Sequence, residues 1–197
     1  MRRALAVVCG AWAAVAHAEL PAVVAPSRVE PRTAGFFALG GRTVGVGLLR
    51  EGSGAGEAWA VQADVGLRDA FVQVMAARQV LLLPLDGRWL HASAQAGLDV
   101  AASTRGPQVL GLGPNLGLSL GAGPAWLNGF GTLQAGVEAF PLGGPPLFRV
   151  PLRAGLGAQS RLGAFDLRFT VLLGLDVNVG QAATARTDAV LALGFGP

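Results

Sequence analysis

A chain of 197 residues with 52% hydrophobic and only 14% charged side chains carries more apolar surface than a typical soluble domain, in which about a quarter of residues are charged. Long membrane helices do not hold that surplus: a helical span needs about 20 apolar residues, and the uncharged stretch between Arg105 and Glu138 is broken by Pro107, Pro114 and Pro124. The formal charge of +3 falls close to neutral once Arg2 and Arg3 are set aside, which removes the basic footprint a nucleic-acid binder needs.

The chain opens with Met1, Arg2 and Arg3, an apolar run ALAVVCGAWAAVA, and Ala16-His17-Ala18. A basic start, a short apolar core and small residues at the −3 and −1 positions predict a cleaved export signal over residues 1–18. Cys9, the only cysteine, lies inside it, so the processed chain has neither a disulfide nor a thiol nucleophile. Residues 19–34, with Pro21, Pro26 and Pro31, read as an extended leader, because proline disfavours a central strand. The remainder, 35–197, reads as one domain, with no linker or change of composition to divide it.

Within that domain the dominant pattern is period two. Successive strand side chains point to opposite faces, and nine segments alternate accordingly. They span 35–49, 57–68, 71–83, 89–102, 108–121, 130–140, 149–159, 165–177 and 186–196. The clearest is FDLRFTVLLGLDV at 165–177, where Phe165, Leu167, Phe169, Val171, Leu173, Leu175 and Val177 oppose Asp166, Arg168, Thr170 and Asp176. Turn-rich pieces such as EGSGAGE and PLDGR separate the segments.

Two architectures explain repeated half-apolar strands: a soluble sandwich with oily faces packed inward, or a barrel with oily faces turned to lipid. The polar rows here are mostly Gly, Ser, Thr, Gln and Asn, with scattered charges of both signs. Alternate glycines, as in GLGPNLG at 111–117, suit a narrow interior better than an open solvated face. A barrel of this kind closes with an even number of strands. Nine candidates therefore imply an unrecognised strand, for which the span from Ala102 to Arg149 has room. The expectation is an all-β, antiparallel up-and-down transmembrane β-barrel of eight to ten strands, ten preferred.

The signal, the alternating strands and the terminal TDAVLALGF together resemble the small outer-membrane β-barrel proteins of Gram-negative bacteria. That resemblance implies export to the outer membrane, contact with outer-membrane lipid, and recognition by the barrel-assembly machinery through a last strand ending at Phe195. Gly196 and Pro197 extend past that aromatic residue and depart from the family pattern. The implied role is structural or that of a narrow, passive small-solute pore. The alternative is a periplasmic or secreted β-sandwich binding module, with a barrel hydrolase as a third reading.

The residues that would line the interior are Asp64, Arg68, Asp99, Glu138, Arg149, Arg153, Asp166, Arg168, Asp176, Arg186 and Asp188. Their signs nearly balance, as expected where an unpaired charge is costly. His91 shares a strand face with Ser93, Gln95 and Asp99, but a nucleophilic triad also needs an oriented nucleophile and an oxyanion hole, so no enzyme activity is expected. With one histidine outside the signal, no multi-histidine metal site is expected. The glycine-rich pieces lack the lysine and strand-to-helix context of phosphate loops, so no cofactor is expected either. Trp59, Trp89, Trp126 and Phe130 fall near strand edges, where aromatics line a lipid interface.

Overall fold

The computed structural model describes residues 34–41, 43–51, 57–67, 71–81, 89–103, 110–124, 126–140, 147–178 and 183–196. The expected signal (1–18) and leader (19–34) lie outside them, apart from Ala34. The described residues form β1 (Ala34–Gly40), β2 (Thr43–Glu51), β3 (Glu57–Gly66), β4 (Phe71–Leu81), β5 (Leu90–Ser103) and β6 (Leu110–Ala122). They continue with β7 (Leu127–Gly136), β8 (Glu138–Phe140), β9 (Leu147–Leu162), β10 (Phe165–Asn178) and β11 (Thr184–Phe195).

The strands form near the predicted segments, but two of those segments, 35–49 and 130–140, are each divided between two strands. The segment 35–49 is not one strand but two, β1 and β2, which reverse after Gly40 and pair antiparallel from Ala34↔Leu49 to Leu39↔Val44. The missing strand is therefore at the start of the domain and not between Ala102 and Arg149. The tightest described reversal joins β9 to β10 through Gly163 and Ala164, with Gly163 at φ 63°. Glycine in the first central position is what a two-residue hairpin of this kind requires.

All strands belong to one sheet, in the order β10-β11-β1-β2-β3-β4-β5-β6-β7-β9-β8, with further pairings of β9 with β10 and of β6 with β8. β7 and β8 are one run in two pieces. Their register against β6 continues from Asn115↔Gly136 to Leu112↔Ala139, and against β9 from Ala135↔Leu152 to Glu138↔Arg149. The break has a local cause in the neighbours. Pro114 stands across from Val137, accepting its N–H at 3.0 Å but offering none in return, since proline has no backbone donor. Pro151 lies against Gly136 on the other side, its Cγ 3.2 Å from where a Cβ would stand. The sheet thus contains ten antiparallel runs.

The ring of pairings does not close evenly into a barrel. β1 has seven residues, short of the roughly 9 to 11 that a tilted transmembrane strand needs, and pairs with β11 only from Gly35 to Gly40. By contrast β9 and β10 pair from Phe165↔Leu162 to Asn178↔Arg149. The expected up-and-down transmembrane β-barrel of eight to ten strands, ten preferred, is corrected by this unevenness, and with it the resemblance to small outer-membrane barrels. What stands is an all-β domain on a single up-and-down antiparallel sheet.

The two faces of that sheet divide the chain's chemistry. Along β6, Leu110, Leu112, Leu116, Leu118 and Leu120 are exposed, while Gly111, Gly113, Asn115, Gly117 and Ser119 are buried. β10 follows the same rule, with Phe165 to Val177 exposed at odd positions and Asp166, Arg168, Thr170 and Asp176 buried at even ones. The interior is polar over most of its extent. An apolar cluster of Phe36, Ala38, Leu172, Val190 and Ala192 fills the part beside β1, β10 and β11.

Candidate functional site

The register stacks the buried side chains in cross-strand rows. One row runs Gln95, Gly117, Gln134, Arg153, Gly174 and Arg186 across β5, β6, β7, β9, β10 and β11. Long polar chains thus alternate with glycines. A Cβ at Gly117 would stand 2.8 Å from Gln95 Cγ, so the missing side chain is what lets Gln95 lie across β6. The next row runs Ser93, Ser119, Thr132, Gly155 and Leu172, and Ser119 Oγ donates to Thr132 Oγ1 at 3.0 Å.

Glu138 and Arg149 face each other across β8 and β9. Both side chains are 1% exposed. Arg149 donates through Nε to Glu138 Oε2 at 2.9 Å and also through Nη2, while its guanidinium lies 5.2 Å from the centre of the Phe140 ring. Gly111 makes room for that ring, whose Cζ would be 2.9 Å from a Cβ there. Arg168 approaches Asp166 at 3.6 Å and Arg186 approaches Asp176 at 3.8 Å. Gln159 Nε2 donates to Asp166 Oδ2 at 2.7 Å. Asp64 is held by Gln62 Nε2.

Of the charged residues the sequence singled out, Asp64, Asp99, Glu138, Arg149, Arg153, Asp166, Arg168 and Asp176 are buried. Arg186 and Asp188 are half-buried, and Arg68 lies outside the described residues. Asp188 is engaged at the β1–β2 reversal, where its Oδ1 accepts the Gly41 N–H at 2.9 Å. Burial pushes the Asp99 carboxyl up from its ordinary value, and Glu138 adds to this, while Arg153, Asn115 and Arg149 oppose it. Burial pushes Arg153 down, with Arg149 acting the same way against Glu138, Asp176 and Asp99.

His91, Ser93, Gln95 and Asp99 do share the buried row of β5. Among the described residues no group of three metal-ligating side chains occurs. Trp59, Trp89 and Trp126 are exposed, but Phe130 is turned inward and 5% exposed. The amides Gln62, Gln95, Asn115, Asn128, Gln134 and Gln159 are buried beside the charges; alternation already placed most of them on the polar row.

The outer face carries a second feature. Two adjoining hollows of about 830 and 680 Å³ share Leu118, Leu133, Ala154 and Leu173. Their outward walls are leucines and their low points small residues such as Ala94, Gly131 and Ala135. Both hollows are open to the surface along one side.

No family model and no curated protein matches this chain. The outer-membrane lipid and assembly-machinery partners rested on an evenly closed barrel and are corrected with it. Phe195 is embedded in the sheet, paired with Gly35 on one side and Phe165 on the other. The narrow-pore role loses the same premise, and Arg149 and Glu138 occupy the interior as a closed pair.

Proposed function

We propose that this chain is an exported, non-catalytic β-sheet binding module of the periplasmic or secreted kind, taking a hydrocarbon ligand in the leucine-walled groove of its outer face. The observation that carries this reading is the groove itself: contiguous exposed leucines with almost no polar group to orient a hydrophilic ligand. Exposed apolar patches of this extent mark interaction surfaces. Export rests on the signal pattern of residues 1–18.

The test is fractionation of cells expressing the full chain, followed by binding of a spin-labelled C16 alcohol to the purified protein. The reading expects recovery in the soluble exported fraction and saturable binding that Ala154→Trp, which fills the groove from outside, lowers at least tenfold. Recovery only in membranes, with release by detergent alone, overturns it. So does binding unchanged in Ala154→Trp.

A further inference from the structure

Arg153 differs from the other arginines of the interior. Among the described residues, Arg149, Arg168 and Arg186 each have a carboxylate within 4 Å, whereas Arg153 forms no such pair. It is 7% exposed and its Nε has no hydrogen-bond partner. A buried cation is costly unless it is paired. Its neighbours in the same cross-strand row are Gln134 on β7 and, beyond Gly117, Gln95 on β5. They are 8% and 4% exposed, and the Nε2 of each has no partner. These three side chains offer unused N–H donors to the same region of the interior.

Gly174 stands opposite Arg153 on β10, so that strand sends no side chain into the row there. The Gln95 side chain lies over Gly117, which carries its amide toward Gln134 on the next strand. Two of the nearby acids are committed elsewhere, Glu138 to Arg149 and Asp176 to Arg186, while burial pushes the Asp99 carboxyl up.

We infer that Arg153, Gln134 and Gln95 form an internal site for a small monoanion of the carboxylate class. The guanidinium fork matches a planar carboxylate through two parallel N–H donors, and an amide on the neighbouring strands donates to the remaining lone pairs. The single positive charge of Arg153 balances one negative charge and no more, which is why the site takes a monoanion. Gln95, Gln134 and Arg153 belong to the buried row of the sheet and also line the smaller of the two hollows.

The experiment is titration of the purified full chain with ¹³C-labelled acetate, read by NMR line broadening and by the thermal unfolding midpoint. Saturable acetate binding is expected, reduced at least tenfold in Arg153→Gln and retained in Arg168→Gln. Gln134→Leu, which keeps the cation and removes one donor, is expected to weaken binding about threefold to tenfold and keeps the test decisive if Arg153→Gln does not fold. Absence of saturable binding in the wild-type chain overturns the inference. Equal binding in whichever of the Arg153→Gln and Gln134→Leu variants fold overturns it as well.

Discussion

The Phe36 ring lies over Gly47, in the space where a Cβ would come 2.6 Å from ring Cε2. The two residues sit on paired strands at Phe36↔Gly47, and Phe36 belongs to the apolar cluster that fills one side of the interior. Gly47→Ala is therefore expected to destabilise the chain by about 1–3 kcal/mol, the usual cost of overpacking. Phe36→Leu in the same background is expected to recover part of that loss. Denaturant midpoints of the single and double variants give the coupling.

Glu138 and Arg149 make an ion pair in which both side chains are 1% exposed. Removing one partner of such a pair leaves the other charge buried, at a cost of about 3–5 kcal/mol. Glu138→Leu alone is expected to show a loss of that order in chemical unfolding. Glu138→Leu with Arg149→Met is expected to regain most of it, because neither charge then remains to be desolvated.

A carboxyl pushed up on folding prefers its proton in the folded state. Ionising Asp99 therefore costs stability as pH rises from the ordinary carboxylate value through the raised one, and that cost stays in place at neutral pH. Asp99→Asn keeps the shape of the protonated acid and is expected to raise the unfolding midpoint at pH 7 by a few degrees. The advantage is expected to vanish below the ordinary carboxylate value, where Asp99 is protonated in both states. Melting curves across pH check both the sign and the window.

At the β9–β10 reversal, Gly163 stands at φ 63° with nothing within 4 Å of an added Cβ. Any penalty there is conformational and not steric crowding. Gly163→Ala is expected to cost about 1 kcal/mol, and Gly163→Asn less, since asparagine enters the left-handed region more readily. Thermal unfolding of the two variants distinguishes them.

Much of this architecture was legible in the sequence because alternation is a local property. The opposed rows of β6 and β10 follow from Leu110 to Leu120 and from Phe165 to Val177 without knowledge of any partner strand. The β1–β2 reversal escaped because AGFFALG and TVGVGLL are both apolar and join with only a brief polar interruption. The division of β7 from β8 is set by Pro114 and Pro151 on neighbouring strands, so nothing within residues 127–140 announces it. Asp64, Asp99, Glu138, Arg149, Arg153, Asp166, Arg168 and Asp176 are buried, as alternation alone suggests, but which acid meets which arginine depends on register. Register also sets Gln95, Gln134 and Arg153 in one row, although they are far apart in the chain.

The central claim is that the apolar row faces outward and the polar row inward. A cysteine scan along β10 in a Cys9→Ser background tests it most directly, placing single thiols at Leu167, Arg168, Phe169, Thr170, Val171, Leu172 and Leu173 and measuring their reaction with a small maleimide in the purified chain. Fast reaction at 167, 169, 171 and 173 with protection at 168, 170 and 172 is the predicted result. The opposite alternation, with the oily row protected and the polar row reactive, would contradict it.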